Sequence, residues 1–284
     1  MLTARSGVLT LLFVAGCAAD PAGGSDTGDQ EIRAKAAAAA TTPGRALSVH
    51  TTLGIPEAAT VDDPAHALLV KPQYVMSFDS VRKNPRWTAW ELTTAWLGTT
   101  PRSPGFTEDA QLPKTMPQAT AADYLHSGFD IGHLCPSADR TANVADNEST
   151  FVFTNAVPQT TASNTGTWET LEAYSRAVAK SGKHVFIQAG SIYADDKTMG
   201  KGVAVPTSMW KVVVVLQGDH PLPTDVTPTT RVIAVEIPNT TTVTGDFKGY
   251  RVSVASLEAK TGLKLLADVP QAVQDALAPK VDSY

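Results

Sequence analysis

The run Lys211–Leu216, KVVVVL, constrains the fold of this chain more than any other stretch. Its four valines stand side by side with no polar residue among them. A strand with one face in water alternates apolar and polar side chains, whereas a strand without alternation suits burial on both faces. Such a strand belongs inside a sheet that is covered by a layer on each side. Tyr74–Phe78, Trp87–Trp90, His184–Gln188 and Arg231–Ile237 are rich in β-formers, and Phe151–Thr154 is short and aromatic. All of them carry strand signals. Helical signals are fewer. Trp168, Leu171, Ala177 and Val178 recur near the helical period up to Lys180, and Gly182 offers a stop. Ser256 can cap a short helix over Leu257-Glu258-Ala259, and Pro270 can open a last one. The expected class is α+β, a central, mainly antiparallel sheet flanked by helices.

The chain has 284 residues, 43% of them hydrophobic and 18% charged, a balance that supports a sizeable core. Its formal net charge of −5 gives no bulk attraction for a polyanion. A site that handles phosphates therefore has to be local, built from a few Arg side chains and a metal ion. The length permits one large domain or two small ones. The texture changes near Leu47, so residues 47–284 are read as one domain. Residues 18–46 are dominated by Gly, Ser, Asp and Ala and read as a flexible tether. Ahead of them, MLTARSGVLTLLFVAGC pairs Arg5 with the apolar run Val8–Ala15, too short to span a bilayer. Its end, Val14-Ala15-Gly16-Cys17, resembles a bacterial lipobox. Residues 1–17 are then a signal peptide, Cys17 carries the acyl anchor, and the protein is exported to the cell envelope or secreted. Lipidation leaves Cys135 without an intramolecular partner. Cys135 is read as a small buried apolar residue rather than a nucleophile.

Chemistry is concentrated in FDIGHLCPSAD, Phe129–Asp139, and in the segment downstream of it as far as Arg176. His133 can act as a base or an acid near pH 7. An isolated His carries no mechanism, so its partners decide. Asn164 stands just before the expected helix, Glu172 about two turns beyond it, and Arg176 four residues beyond Glu172 on the same face. A strand with His133, a second strand and a helix start with Asn164 form a ββα unit. That unit can gather an imidazole, an amide oxygen, a carboxylate and a guanidinium. Phosphodiester hydrolysis uses such a set. Neutral imidazole takes a proton from water, and an Arg and a divalent cation offset charge on the phosphoryl oxygens. Mg²⁺ keeps several waters and needs few protein ligands.

The combination resembles the DNA/RNA non-specific endonucleases of the ββα-metal, or His-Me finger, type. The resemblance rests on DIGH at 130–133, TNAVPQ at 154–159, and Asn164, Trp168, Leu171 and Glu172. It extends through LLVKPQYVMSFDSVRKNPRWTAW at 68–90, WLGTTPR at 96–102 and GVAVPTSMWKVVVVL at 202–216, and covers about residue 48 to the end. It implies a Mg²⁺-dependent enzyme, with Mn²⁺ as an alternative metal, that cleaves DNA and RNA with 5′-phosphate products. It implies His133 as general base, Asn164 as the direct metal ligand and Glu172 as the group that orders water around the ion. It further implies that Arg102 contacts the phosphate, Arg176 stabilises the transition state, Asn155 shapes the site, and Asp130 orients local backbone or a water. It names no inhibitor protein.

One position departs from the pattern. The family's signature Arg is Ile131 here, which removes a positive charge from beside the phosphate. Loss of one such contact is worth on the order of 10²–10³ in rate, and Arg140 is the candidate to replace it. Ile131 keeps open a weakened nuclease fold that only binds nucleic acid. A phosphodiesterase on small nucleotides is a second alternative. A solute-binding lipoprotein would account for the anchor alone.

Overall fold

The computed structural model describes residues 48–284; Cys17 and the segments expected to be a signal peptide and a tether lie outside the described residues. Eleven strands are present among them. β1 is Ala67–Val70, β2 Val75–Asp79, β3 Asn84–Leu92, β4 Asp130–His133, β5 Ala156–Gln159 and β6 His184–Ile192. β7 is Thr198–Met199, β8 Val203–Ala204, β9 Ser208–Leu216, β10 Val232–Pro238 and β11 Arg251–Val252. Seven of them form one sheet in the order β1-β2-β3-β6-β9-β10-β11, antiparallel throughout. β4 and β5 form a separate hairpin, as do β7 and β8.

The absence of alternation in KVVVVL has the expected cause. β9 lies inside the sheet between β6 and β10. Its Met209 and Val213 join the core on one face, and Trp210, Val212 and Val214 join the core on the other. The first face is covered by the helix Glu169–Lys180 through Leu171 and Ala179, together with Trp168. The second is covered by the helices Val254–Thr261 and Gln271–Leu277 through Leu257 and Leu277. β3 and β6 are neighbours in the sheet, yet residues 93–183 separate them in the chain. That long excursion carries the β4–β5 hairpin and the helix Glu169–Lys180, so the sheet acts as a floor for them.

Three local expectations are corrected. Phe151–Thr154 is not a strand: only Val152 bridges to Thr107, and Phe153–Asn155 close a 3₁₀ turn before β5. The Asn155 side chain takes over there, its Nδ2 donating to Thr150 O at 3.0 Å and Cys135 O at 2.8 Å. The helix expected to start at Ser256 starts earlier, at Val254, because the Ser253 hydroxyl accepts the Ser256 N–H at 3.1 Å. Pro270 sits at the N-cap of the last helix rather than within its first turn. Gly182, with φ +85°, does follow the end of the helix Glu169–Lys180.

Candidate active site

The β4–β5 hairpin sets the first part of the site. Asp130 pairs with Gln159, and His133 pairs with Ala156 at the other end. Between them, Gly132 is required by space: a Cβ there would lie 1.7 Å from Gln159 Oε1 and 2.6 Å from Gln159 Cγ. The glycine therefore admits the Gln159 side chain across the strand. Asn155 holds the turn after His133, since its Oδ1 accepts the Cys135 N–H at 3.0 Å while its Nδ2 donates to the Cys135 carbonyl. Cys135 is fully buried and its thiol is pushed up to about 12 by that burial, so it stays protonated and inert.

His133 is only 7% exposed. Its ring centre lies 4.6 Å from that of Phe106, at a tilt of 41°, and 4.7 Å from that of Phe151, edge-on at 87°. Nε2 is buried with no hydrogen-bond partner, which leaves Nδ1 as the nitrogen able to meet water. Burial, with help from the Arg102 charge, lowers the imidazole pKa to about 3. The ring is neutral at pH 7. Arg102 is exposed, donates from Nη1 to Ser137 Oγ at 3.0 Å, and lies 4.8 Å from the centre of the Phe151 ring. Arg102 and His133 thus both lie against the Phe151 ring.

A π-helical turn over Ser163–Trp168 leads into the helix Glu169–Lys180 and puts Asn164 opposite Asp130. The Asp130 carboxylate accepts from Asn164 Nδ2 at 3.1 Å and from Thr161 Oγ1 at 3.0 Å. These bonds fix the amide orientation and leave Asn164 Oδ1 without a partner among the described residues. No cluster of three or more His, Cys, Asp or Glu able to hold a metal occurs among the described residues. An ion here would be held by one amide oxygen and solvent. That donor set suits Mg²⁺, which keeps most of its waters.

Glu172 lies in the first turn of that helix, about two turns beyond Asn164, and is 9% exposed. Its Oε2 lies 3.9 Å from Arg176 Nη1, and its Oε1 accepts from Lys211 Nζ at 3.2 Å. Arg176 also donates to Asp139 Oδ1 at 3.1 Å, and Asp139 Oδ2 accepts from Trp90 Nε1 at 2.9 Å. Burial raises the Glu172 pKa, against the pull of Lys211 and Arg176. Sequence reasoning missed Lys211 and Asp139. The signal for Lys211 was present: it is the lone charge in SMWKVVVVL. The signal for Asp139 was weaker, an acid in a loop beside Pro136.

Ile131 is half-buried and packs with Phe106 and Phe129 against Tyr124 and Phe153. Arg140 does not replace the missing guanidinium. It is fully buried and donates to the carbonyls of Gln73 (2.9 and 2.5 Å), Asp139 (2.8 Å) and Glu91 (3.0 Å), with its guanidinium 4.3 Å from the Trp96 ring centre. It is part of the scaffold. Lys197 is exposed, and its Nζ lies 5.0 Å from the ring centre of Phe129. Phe129, Ile131 and His133 alternate onto one face of the strand.

Comparison with known proteins agrees with this architecture. The chain matches the family described as DNA/RNA non-specific endonuclease over residues 58–272. It is 41% identical over 239 residues to a nuclease of Nostoc, covering 84% of this chain and 87% of that protein. It is 32% identical over 158 residues to human mitochondrial endonuclease G, covering 51% of this chain and 53% of the relative. Among solved structures it is similar to the EndoG/EndoGI complex, with a TM-score of 0.66 and 24% identity over 78% of this chain and 91% of the other. That likeness shows the fold, the ββα-metal nuclease type with a large antiparallel sheet. The family match, together with a relative of such identity across most of both chains, establishes that this chain belongs to the DNA/RNA non-specific endonucleases, hydrolases of nucleic acid.

Proposed function

We propose that the chain is a divalent-cation-dependent endonuclease acting on DNA and RNA with little sequence preference, with His133 as its general base. The observation that carries this reading is one ββα unit holding a neutral imidazole at His133 and an amide at Asn164 whose oxygen is free. His133 Nδ1 takes a proton from water as the water oxygen bonds to phosphorus. The P–O3′ bond breaks, the 3′ oxygen takes a proton from solvent, and the phosphate stays on the 5′ end. The phosphodiester brings negative charge beside the ring, which raises its proton affinity during the reaction. Asn164 would hold the cation, Mg²⁺ or Mn²⁺, with Asp130 fixing its amide. A cation so held offsets the charge that grows on the leaving oxygen. Glu172 orders water near Asn164. Arg102, exposed beside His133, binds the phosphate, and Arg176, 16% exposed, offsets charge on the phosphoryl oxygens. Asn155 holds the backbone that carries His133. These groups grip phosphate rather than base edges, and phosphate contacts carry no sequence information.

We also read the protein as an exported lipoprotein anchored through Cys17, a reading supported by the Val14–Cys17 motif and the tether after it. The test of the activity is cleavage of plasmid DNA and of RNA by the purified protein with Mg²⁺, with Mn²⁺ and with EDTA. Both polymers should be cut, and EDTA should stop the reaction. Cleavage unchanged by EDTA refutes the role of Asn164. Binding of both polymers without cleavage identifies a weakened nuclease fold, and cleavage of dinucleotide esters alone identifies a small-nucleotide phosphodiesterase.

A further inference from the structure

Lys211 is a buried cation in the middle of the sheet. It projects from β9 onto the face that carries the site helix, while its neighbours Trp210 and Val212 project to the other face. It is 1% exposed. Its Nζ lies 4.0 Å from the ring centre of Trp168, 5.7 Å from that of Trp90 and 3.2 Å from Glu172 Oε1. The charged groups around it are Glu172 and Arg176 on the helix and Asp139 on the 3₁₀ turn Ser137–Asp139. Cys135 beside them is neutral. Burying an ammonium is expensive, and a hydrophobic residue of similar volume in place of a buried ion pair is often neutral or stabilising. Packing alone therefore does not account for a lysine here.

The geometry of Glu172 supplies a reason. Its carboxylate is spanned by two cations of different character. Lys211 holds Oε1 from the interior, and Arg176, 16% exposed, lies beside Oε2 from the solvent edge. Arg176 is shared with Asp139 and Glu169, so it does not hold Glu172 alone. The two tryptophan faces confine the ammonium, so it cannot follow the carboxylate if that group moves.

We propose that Lys211 is a positioning residue for the reaction: it clamps Oε1 of Glu172 from beneath and thereby sets the carboxylate in the orientation in which Oε2 serves the site. This rests on the proposed role of Glu172 in ordering water near Asn164. Lys211 touches no substrate and acts through Glu172 alone.

The test is a double-mutant cycle in the full-length protein, Lys211→Met and Glu172→Gln, singly and together. The readouts are kcat and KM on a defined duplex with Mg²⁺, Mg²⁺ affinity by calorimetry without substrate, and the urea midpoint as a check of folding. Lys211→Met should lower kcat about 10- to 100-fold, the loss expected for one charge-assisted hydrogen bond. KM should stay within about twofold, because substrate contacts are untouched. Mg²⁺ affinity should weaken. In the Glu172→Gln background, Lys211→Met should have no further effect on kcat or on Mg²⁺ affinity. Wild-type kcat in a folded Lys211→Met protein overturns the inference, and so does a loss that adds in full to that of Glu172→Gln. If Lys211→Met fails to fold, Lys211→Gln, which keeps a donor and loses the charge, carries the same expectations. A Glu172→Gln enzyme as fast as wild type refutes the site reading itself, which separates the two failures.

Discussion

Acid should unfold this protein through two histidines before it titrates most carboxylates. His133 is confined by Phe106 and Phe151, and burial with the Arg102 charge lowers its pKa to about 3. His50 is 4% exposed, with Nε2 2.7 Å from Pro72 O and Nδ1 3.1 Å from the Glu91 N–H. That pair of contacts selects the neutral ring, with Nε2–H as donor and Nδ1 as acceptor. Burial, and then the nearby Arg140 charge, lowers its pKa to about 3 as well. An unfolded His titrates near 6.5, so below that pH the unfolded chain binds more protons than the folded one. The stability from each neutral ring is complete above pH 6.5 and is lost as pH falls toward 3. The slope is about 1.4 kcal/mol per pH unit per His. Between pH 6.5 and 5, a span of about 1.5 units, each ring loses roughly 2 kcal/mol and the two together roughly 4 kcal/mol. Urea unfolding at pH 7, 6 and 5 in the presence of a chelator measures this. His50→Gln and His133→Gln should each remove about half of the slope. A wild-type stability that is flat between pH 6.5 and 5 refutes the neutral imidazole, and with it the protonation state assigned to the base.

His133→Ala should lower turnover by about 10²–10⁴ with Mg²⁺ binding and the native circular dichroism spectrum kept, while the unfolding midpoint falls because the ring leaves a cavity between Phe106 and Phe151; loss of Mg²⁺ binding and of the native spectrum would mark His133 as scaffold. Ile131→Arg should raise activity, and the gain should shrink at high salt as screening grows; with Arg140 committed to backbone carbonyls, the exposed Lys197 is the cation to remove next, and Lys197→Ala should raise KM for polymeric substrate. Gly132→Ala should destabilise by about 1–3 kcal/mol, because its Cβ meets Gln159 at 1.7 Å; an unchanged urea midpoint would show that Gln159 moves aside freely. Cys17→Ser should release the protein from membranes or block its processing, and unchanged fractionation and mass would exclude the anchor.

Patterns that report one strand or one helix were legible in the sequence. KVVVVL demanded cover on both faces, because a lack of alternation leaves no face for water, and the helix up to Lys180 followed from its period and Gly182. The ββα unit was legible because its parts lie close in sequence. The His133 and Asn164 segments fall on one hairpin and the turn after it, so local structure nearly suffices to join them. What tertiary structure alone decided lies across the sheet. Arg140 and Arg102 look alike in the sequence, yet Arg102 is exposed beside the imidazole and Arg140 is fully buried against the carbonyls of Gln73 and Glu91. Lys211 comes 39 positions after Glu172, and no periodicity links a strand residue to a helix residue that packs over it. Such contacts depend on which strands are neighbours and on which face each residue takes. Burial then converts those neighbourhoods into chemistry, because only a desolvated imidazole, carboxylate or ammonium has its charge state set by the groups beside it.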